Sequence, residues 1–386
     1  MVAKISFFPV GNGDMTLIVL DSGRTILIDV NILCSADDPD QPDVPDVISF
    51  LRDKLNCDPQ GRKYIDVFLL SHPDKDHCLG LNRHFHLDAP KNYSKADDKI
   101  FVREIWSSPM VFRRASTALT LCDDAKFFNT EAKRRVQYYR DHGLTATEEG
   151  DRIQIMGEDE NGKTDDLTEI LVKVDELVTK VNGITDFSMT ARLLGPLPKS
   201  DDEKKEDALA KNRSSIILNF ALKVSGATQC QFLTGGDAEV EVWETLWTNH
   251  KNTDWLKYHV LQNPHHCSWH SLSHHSWGKY GEQARVSQDA RSALAQTHDG
   301  ALLIASCKEI SANDSDPPCI RAKREYEAIA RAVRGRFLCT ADSLEPLELI
   351  VESVGVRKAS KASAVSSPKI TPLGLIGRSP LAHGKG

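Results

Sequence analysis

The sequence predicts an α/β fold of stacked sheets with helices outside. Three observations point to it. Strand-like runs rich in β-branched and aromatic residues recur in both halves of the 386-residue chain. Segments with helical spacing interleave with them. The composition, 40% apolar and 27% charged, is ordinary for a folded soluble protein. At about 150 residues per domain the length allows two or three domains, or one large elaborated domain. The order of elements reads as one domain over residues 1–356, with a probable insertion at 145–185 and a tail at 357–386.

Residues 5–10, 15–20 and 25–30 read as strands separated by Gly-Asn-Gly-Asp and Asp-Ser-Gly turns. Residues 44–55 have helical spacing with Asp near the start. The apolar run 64–71 reads as a strand covered on both faces. A strand is expected near 101–106, then a long amphipathic helix over 118–142. The acidic, weakly patterned segment 145–185 is expected to hold one helix over 166–181. Strands resume at 190–195, 215–224 and 229–235, followed by a helix over 238–249 and a strand at 258–263. A His-rich loop, a helix, a strand at 301–306, a helix over 321–333 and two closing strands complete the domain.

The chain carries a formal charge of −7, unevenly placed. Residues 357–386 hold six Lys/Arg and no Asp/Glu, which leaves the other 356 residues at −13. The body therefore repels polyanions at long range, and a nucleic-acid partner would need local features or the tail. The tail is rich in Ser, Ala, Pro and Gly and is expected to be disordered. It or the acidic insertion could dock a protein partner. No run approaches 18 uninterrupted apolar residues, so a membrane span is not expected. The first residues show no basic-then-apolar leader, and the nine cysteines include no CxxC pair. Together these predict a cytoplasmic protein with reduced cysteines.

The sharpest chemical signal is Ser71-His72-Pro73-Asp74-Lys75-Asp76-His77, at the end of an apolar strand. Four candidate ligands fall within six residues. His72 and Asp74, two apart in extended backbone, point the same way, whereas Asp76 and His77 diverge. One turn can thus serve two neighbouring metal positions. Burying such a cluster without cations is costly, because the carboxylates repel and lose hydration. A second aspartate, Asp237, follows the strand ending Leu233-Thr234-Gly235-Gly236, where glycines let the backbone pass close to a site. Third comes the loop Pro264-His265-His266-Cys267-Ser268-Trp269-His270 with His274 and His275. It packs five of the fourteen histidines into eleven residues, a bias that reads as metal binding. His270, His274 and His275 read as loop or substrate-facing residues, and His84 and His86 as surface or supporting ones.

These pieces, with Val10-Gly11-Asn12-Gly13-Asp14 and Ile26-Leu27-Ile28-Asp29, resemble the metallo-β-lactamase fold superfamily. Within it they resemble the branch containing the nuclease-like domain of bacterial competence DNA-uptake proteins. The resemblance spans about residues 4–345 and implies an αββα sandwich with a metal site at the sheet edge. It implies that His72 and Asp74 hold one metal and Asp76 and His77 a second. Asp237 would bridge, His265 or His266 would close the second site, and Asp14 and Asp29 would support the ligands. The chain departs from the family pattern in having Asp74 where His is commonest and Cys267 where Gly is usual. It also lacks a histidine in 105–114, and the region Asp314–Asp316 stands where a further family-like histidine is expected.

Asp74, Asp76 and Asp237 would give two divalent cations a site near neutrality, suited to an anionic phosphodiester. A metal-bound water can reach a pKa of about 7 and supply hydroxide. The carboxylate-rich set makes manganese competitive with zinc. The expected function is metal-dependent hydrolysis, of a phosphodiester or nucleic acid, with Asp76 at the reacting centre. The alternatives are a lactam, lactone or thioester hydrolase, or a non-catalytic scaffold that keeps the fold. A P-loop-like string at 157–164 places Glu158, Asp159 and Glu160 where phosphates would sit, and is set aside. The basic stretch Lys133–Arg140, with Arg113, Arg114 and Arg213, reads first as a solvated face and second as a wall guiding a polyanion. Trp269 could stack on a base.

Overall fold

A computed structural model of the chain describes residues 2–38, 40–41, 43–109, 121–159, 162–197, 214–312 and 315–360. In chain order the strands are β1 (Ala3–Phe7), β2 (Thr16–Val19), β3 (Thr25–Ile28), β4 (Val30–Asn31), β5 (Tyr64–Leu70), β6 (Phe85–His86), β7 (Ile100–Ser107), β8 (Arg152–Met156), β9 (Leu171–Val172) and β10 (Leu177–Val178). They continue with β11 (Lys180–Val181), β12 (Ile184–Thr185), β13 (Met189–Gly195), β14 (Ile217–Val224), β15 (Ala227–Leu233), β16 (Tyr258–Gln262), β17 (Thr297–Ala305), β18 (Arg336–Cys339), β19 (Leu347–Glu352) and β20 (Gly355–Lys358). The protein is mixed α/β. Among the described residues, ten strands form one sheet in the order β20-β19-β1-β2-β3-β5-β7-β8-β9, with β6 also on β7. Seven form a second in the order β10-β13-β14-β15-β16-β17-β18, and β11 and β12 pair alone.

Both sheets change from antiparallel to parallel pairing at their centres. In the first, β1, β2 and β3 are antiparallel and β3, β5, β7 and β8 parallel. In the second, β13, β14 and β15 are antiparallel and β15, β16, β17 and β18 parallel. Parallel strands aim their carboxyl ends the same way, so the segments after β15, β16 and β17 emerge side by side. The register Leu233↔Leu261 and Gln262↔Ile304 brings those ends level.

Period-two alternation builds the core. Leu218, Phe220, Leu222 and Val224 of β14 meet Ile26 and Ile28 of β3 and Val67 and Leu69 of β5 in one buried cluster containing residues of both sheets. The opposite faces pack on helices. Phe68, Ile105 and Ile153 of the first sheet pack against helix Asp123–His142, which buries Ala125, Phe128, Ala132, Val136 and Tyr139 at spacings of three and four. Leu233, Leu261 and Leu303 of the second meet helices Val240–His250, Gln288–Leu294 and Ile320–Ala332. Among the described residues no helix is long and apolar enough to cross a membrane. None of the nine cysteines is disulfide-bonded.

Two expectations need correction. The helix expected over 166–181 is absent: turns and the short strands β9, β10 and β11 occupy that stretch. Its β-branched residues favour extended backbone, and Asp175 at φ 72° and Asn182 at φ 53° take left-handed turns that no helix accommodates. The segment lies along both sheets, since β8 pairs with β7 while β10 pairs with β13. The tail expected from residue 357 also begins too early. Arg357 and Lys358 belong to β20, which pairs with β19, and Arg357 meets Glu352 at 2.7 Å. The remaining tail, 361–386, lies outside the described residues, as do Arg113, Arg114, Arg213 and Asp314.

Candidate metal centre

Four loops bring the site together, and each is held by specific backbone contacts. The first is Val10–Asp14, between β1 and β2. Asn31 Nδ2 donates to the carbonyls of Val10 and Asn12, both at 3.1 Å, and the Asp14 amide donates to Asp76 O at 3.2 Å. Gly13 sits at φ 153°, and a Cβ there would lie 2.2 Å from Asn31 Nδ2 and 2.7 Å from Asp76 O. Only glycine lets these loops touch.

The second loop, 71–77, follows β5. Asp29, itself at φ 54°, accepts the Ser71 amide at 2.7 Å and the Ser71 hydroxyl at 2.6 Å. It also takes His77 Nδ1 at 2.8 Å. The third loop follows β15. Gly236, at φ 47°, turns the chain so that Asp237 enters the centre, and the Asp237 amide meets Ser215 Oγ at 3.2 Å. The fourth follows β16. His265, His266 and Cys267 are three consecutive left-handed residues, with φ of 51°, 51° and 66°. Non-glycine residues there cost of order 1–3 kcal/mol each, strain of the kind that gathers at functional sites. The His265 amide donates to Gly236 O at 2.8 Å, joining the third and fourth loops.

The imidazoles are oriented alike. His77 Nδ1–H donates to Asp29, and His266 Nδ1–H donates to Ser306 O at 3.1 Å. Ser71 Oγ spends its proton on Asp29 and so accepts from His72 Nδ1 at 3.1 Å. In each ring the Nδ1 proton is committed outward, which leaves the Nε2 lone pair facing inward. All converge on Asp237. Its Oδ1 lies 3.1 Å from His77 Nε2 and 3.4 Å from His266 Nε2. Its Oδ2 lies 3.5 Å from His72 Nε2 and 3.7 Å from His265 Nε2.

The remaining carboxylates divide between the two sides. Asp76 Oδ2 is 3.5 Å from His266 Nε2 and Asp14 Oδ1 is 3.6 Å from His266 Nδ1, while Asp74 Oδ2 is 3.9 Å from His72 Nε2. Asp14, His77, Asp237 and His266 offer ligand atoms within 4.8 Å of one another, and all four are buried. Five of the converging atoms are buried without a hydrogen-bond partner: Asp14 Oδ1, His72 Nε2, His77 Nε2, Asp237 Oδ1 and His266 Nε2. Native proteins rarely leave such atoms orphaned, and lone pairs aimed at one another need a cation between them. The donor set of imidazole nitrogens and carboxylate oxygens fits zinc or manganese.

With protons as the only cations, the centre holds them tightly. Burial alone would raise the Asp237 carboxyl, but His77, His266 and His72 outweigh it and hold it well below the usual carboxylate range. Burial likewise opposes a proton on His266, yet Asp237, Asp14 and Asp76 push that ring up to about 10. His77 rises against burial for the same reason, through Asp237 and Asp29. Asp76 falls to about 2 despite burial, through His266 and His77. The sign is uniform: the site attracts positive charge.

The sequence-predicted residues therefore meet in one place. His72, Asp74, Asp76, His77, Asp237, His265 and His266 surround a common centre, and Asp29 braces it from outside. Asp14, which the resemblance places in a supporting role, contributes an atom to the converging group itself. His265 and His266 both reach Asp237, on opposite carboxylate oxygens. Ser71 and Ser306, the acceptors that set the ring tautomers, were not singled out. Ser71 stands inside the motif, whereas nothing in the sequence marks Ser306. The other histidines lie elsewhere: His274 pairs with Glu244 at 2.9 Å, His275 meets Tyr280, and His86 stacks on Phe101. His84 meets Asp37 at 3.4 Å, and His270 lies 3.8 Å from Asp316. Trp269 is buried and donates its indole N–H to His275 O, so it offers no stacking face. No known family's sequence pattern and no curated protein matches the chain.

Proposed function

We propose that the chain is a metal-dependent hydrolase with the αββα sandwich of the metallo-β-lactamase superfamily, acting on phosphodiesters. The observation that carries this reading is that Asp14, His77, Asp237 and His266 bring ligand atoms within 4.8 Å of one another while each keeps a buried polar atom without a hydrogen-bond partner. A scaffold has no use for them. His72, Asp74 and His265 would hold an ion on the Oδ2 side of Asp237, and Asp14, Asp76, His77 and His266 one on the Oδ1 side. Bound divalent ions supply Lewis acidity and bring the pKa of water to about 7.

The chain's own residues do the rest. Asp29, Ser71 and Ser306 fix the rings so that only Nε2 faces inward. Asp76, with its side chain 41% exposed, would orient the entering water by accepting a hydrogen bond from it. Four carboxylates, Asp14, Asp74, Asp76 and Asp237, balance two divalent ions, so an anionic phosphodiester meets no net repulsion at the centre. A nucleic-acid strand is one such substrate. A second reading, hydrolysis of a lactone or thioester, draws on the apolar lining of the cavity beside Asp76.

The test is metal analysis after reconstitution in zinc or manganese, with turnover of bis-p-nitrophenyl phosphate. Bound metal and turnover are expected, with Asp237→Asn losing a hundredfold or more in rate together with its metal. A reconstituted protein that retains no cation would overturn the proposal.

A further inference from the structure

A cavity of about 610 Å³ opens beside the centre and has Asp76 in its wall. Its size falls in the range that encloses a small organic ligand. The lining is mostly apolar, with Val10, Leu33, Val44, Val47 and Leu79 prominent. Leu33 is 45% exposed although it is a large aliphatic side chain. Lys75 and Lys308 also line the cavity, opposed by Asp43 and Asp76. Lys75 immediately precedes Asp76, and Lys308 lies along Gly11, its Cγ 3.7 Å from where a Cβ would stand. Among the described residues neither ammonium has an ion-pair partner, and the Lys308 amide is tied to Asn12 Oδ1 at 2.9 Å.

The basic residues of helix Asp123–His142 contrast with these lysines. Arg134 is held by Glu131 at 2.6 Å and Asp151 at 2.7 Å, Arg135 is buried on Glu131 at 2.7 Å, and Arg140 meets Asp166 at 2.6 Å. The charge of these three arginines is spent within the fold, while Lys133 is exposed on the same helix. A polymeric strand needs a run of available cations and exposed aromatic faces along its path. Here two available cations, Lys75 and Lys308, share one apolar cavity beside the centre.

We infer that the preferred substrate is a small phosphodiester with one apolar or aromatic arm, the arm seated in the Leu33–Val44–Leu79 cavity and the phosphoryl group between Asp76's centre and the Lys75 and Lys308 ammoniums. This rests on the hydrolase reading above and narrows it. Asp43 also lines the cavity, and the anion is held toward the metal side, where Asp76 is already matched by the ions. The apolar arm supplies the binding that a bare phosphate cannot.

The probe is the diester methyl 1-naphthyl phosphate, titrated by fluorescence into zinc- or manganese-loaded protein, with inorganic phosphate and an oligothymidylate as competitors. The diester is expected to bind at least tenfold more tightly than inorganic phosphate. The partly exposed pair Leu33→Gln/Val44→Gln should cost about tenfold in that affinity while leaving metal content and inorganic phosphate affinity as they were. Lys308→Glu should weaken both anions. If metal is bound but the diester gains nothing over phosphate, or the double substitution has no effect, the cavity assignment falls and the hydrolase reading stands. If the oligothymidylate binds tighter and ignores the double substitution, the substrate is a polymer and the inference is overturned. If no metal is retained, both readings fall together.

Discussion

At the scale of single residues, burial and charge pull in opposite directions, and Glu104 shows the balance outside the centre. It lies on β7, paired to Val67 and Arg152, and is 4% exposed. Burial raises its carboxyl to about 7, against the Asn182 and Gly183 amides and the Arg152 and Arg135 charges that favour ionisation. A carboxyl raised on folding is comfortable when neutral. Its penalty is therefore absent below about pH 4.5, grows between pH 4.5 and 7, and is complete above pH 7, at about 3 kcal/mol. Glu104→Gln keeps the shape without the charge. The melting temperature of Glu104→Gln relative to the parent is expected to be near zero at pH 4.5 and to rise by several degrees at pH 8. A difference that does not change with pH would show that Glu104 is not ionised at a cost in the fold. In the centre the same burial is reversed by neighbours: His77, His266 and His72 keep Asp237 ionised.

Among the elements, the metal motif and the long helix are packed through sulfur. Cys78 closes the short helix Lys75–Cys78, and Cys122 caps helix Asp123–His142, with their Sγ atoms 3.4 Å apart. The hydrogen bond shared with Cys78, together with the Ala125 amide, holds the Cys122 thiol down at about 6 against burial. A mild thiol oxidant such as diamide is expected to join these two first, read by peptide mapping, while the isolated, fully buried Cys230 stays free. Recovery of both as unmodified thiols would show that the two elements are not so close. Such pairings were invisible in the sequence, where 78 and 122 are merely two of nine scattered cysteines. What was legible follows a pattern. Strands and helices with a clear period, such as 64–71 and 238–249, appear within a few residues of their expected ends. The candidate ligands are legible because each cluster follows an apolar strand directly. The stretch 166–181 gives no readable period because its buried residues, Leu167, Ile170, Val172, Val178 and Val181, are divided between two apolar clusters. Ser306 was out of reach because its role is a backbone carbonyl, which any residue could supply.

For the whole molecule, the centre is a clasp between the two sheets. Asp14, Asp76 and His77 come from loops of the first sheet, and Asp237, His265 and His266 from loops of the second. Protein contacts already bridge the sheets at this edge: the Ile216 amide donates to Ser71 O at 3.0 Å, Ser306 Oγ to Gly13 O at 2.7 Å, and Thr16 Oγ1 to Gln262 Oε1 at 3.3 Å. An ion held by both sets would add a link that exists only while the sheets are docked, and the unfolded chain cannot reproduce it. Ligand linkage then sets the size of the effect, about 2.7 kcal/mol when free metal exceeds its dissociation constant a hundredfold. Zinc or manganese is expected to raise the melting temperature in a concentration-dependent way, and a chelator to reverse it. Asp237→Asn removes the one residue that faces both histidine pairs, so that variant should melt at the same temperature with or without metal. A metal-dependent gain that survives this substitution would put the ion somewhere other than at Asp237, whose two carboxylate oxygens face His77 and His266 on one side and His72 and His265 on the other.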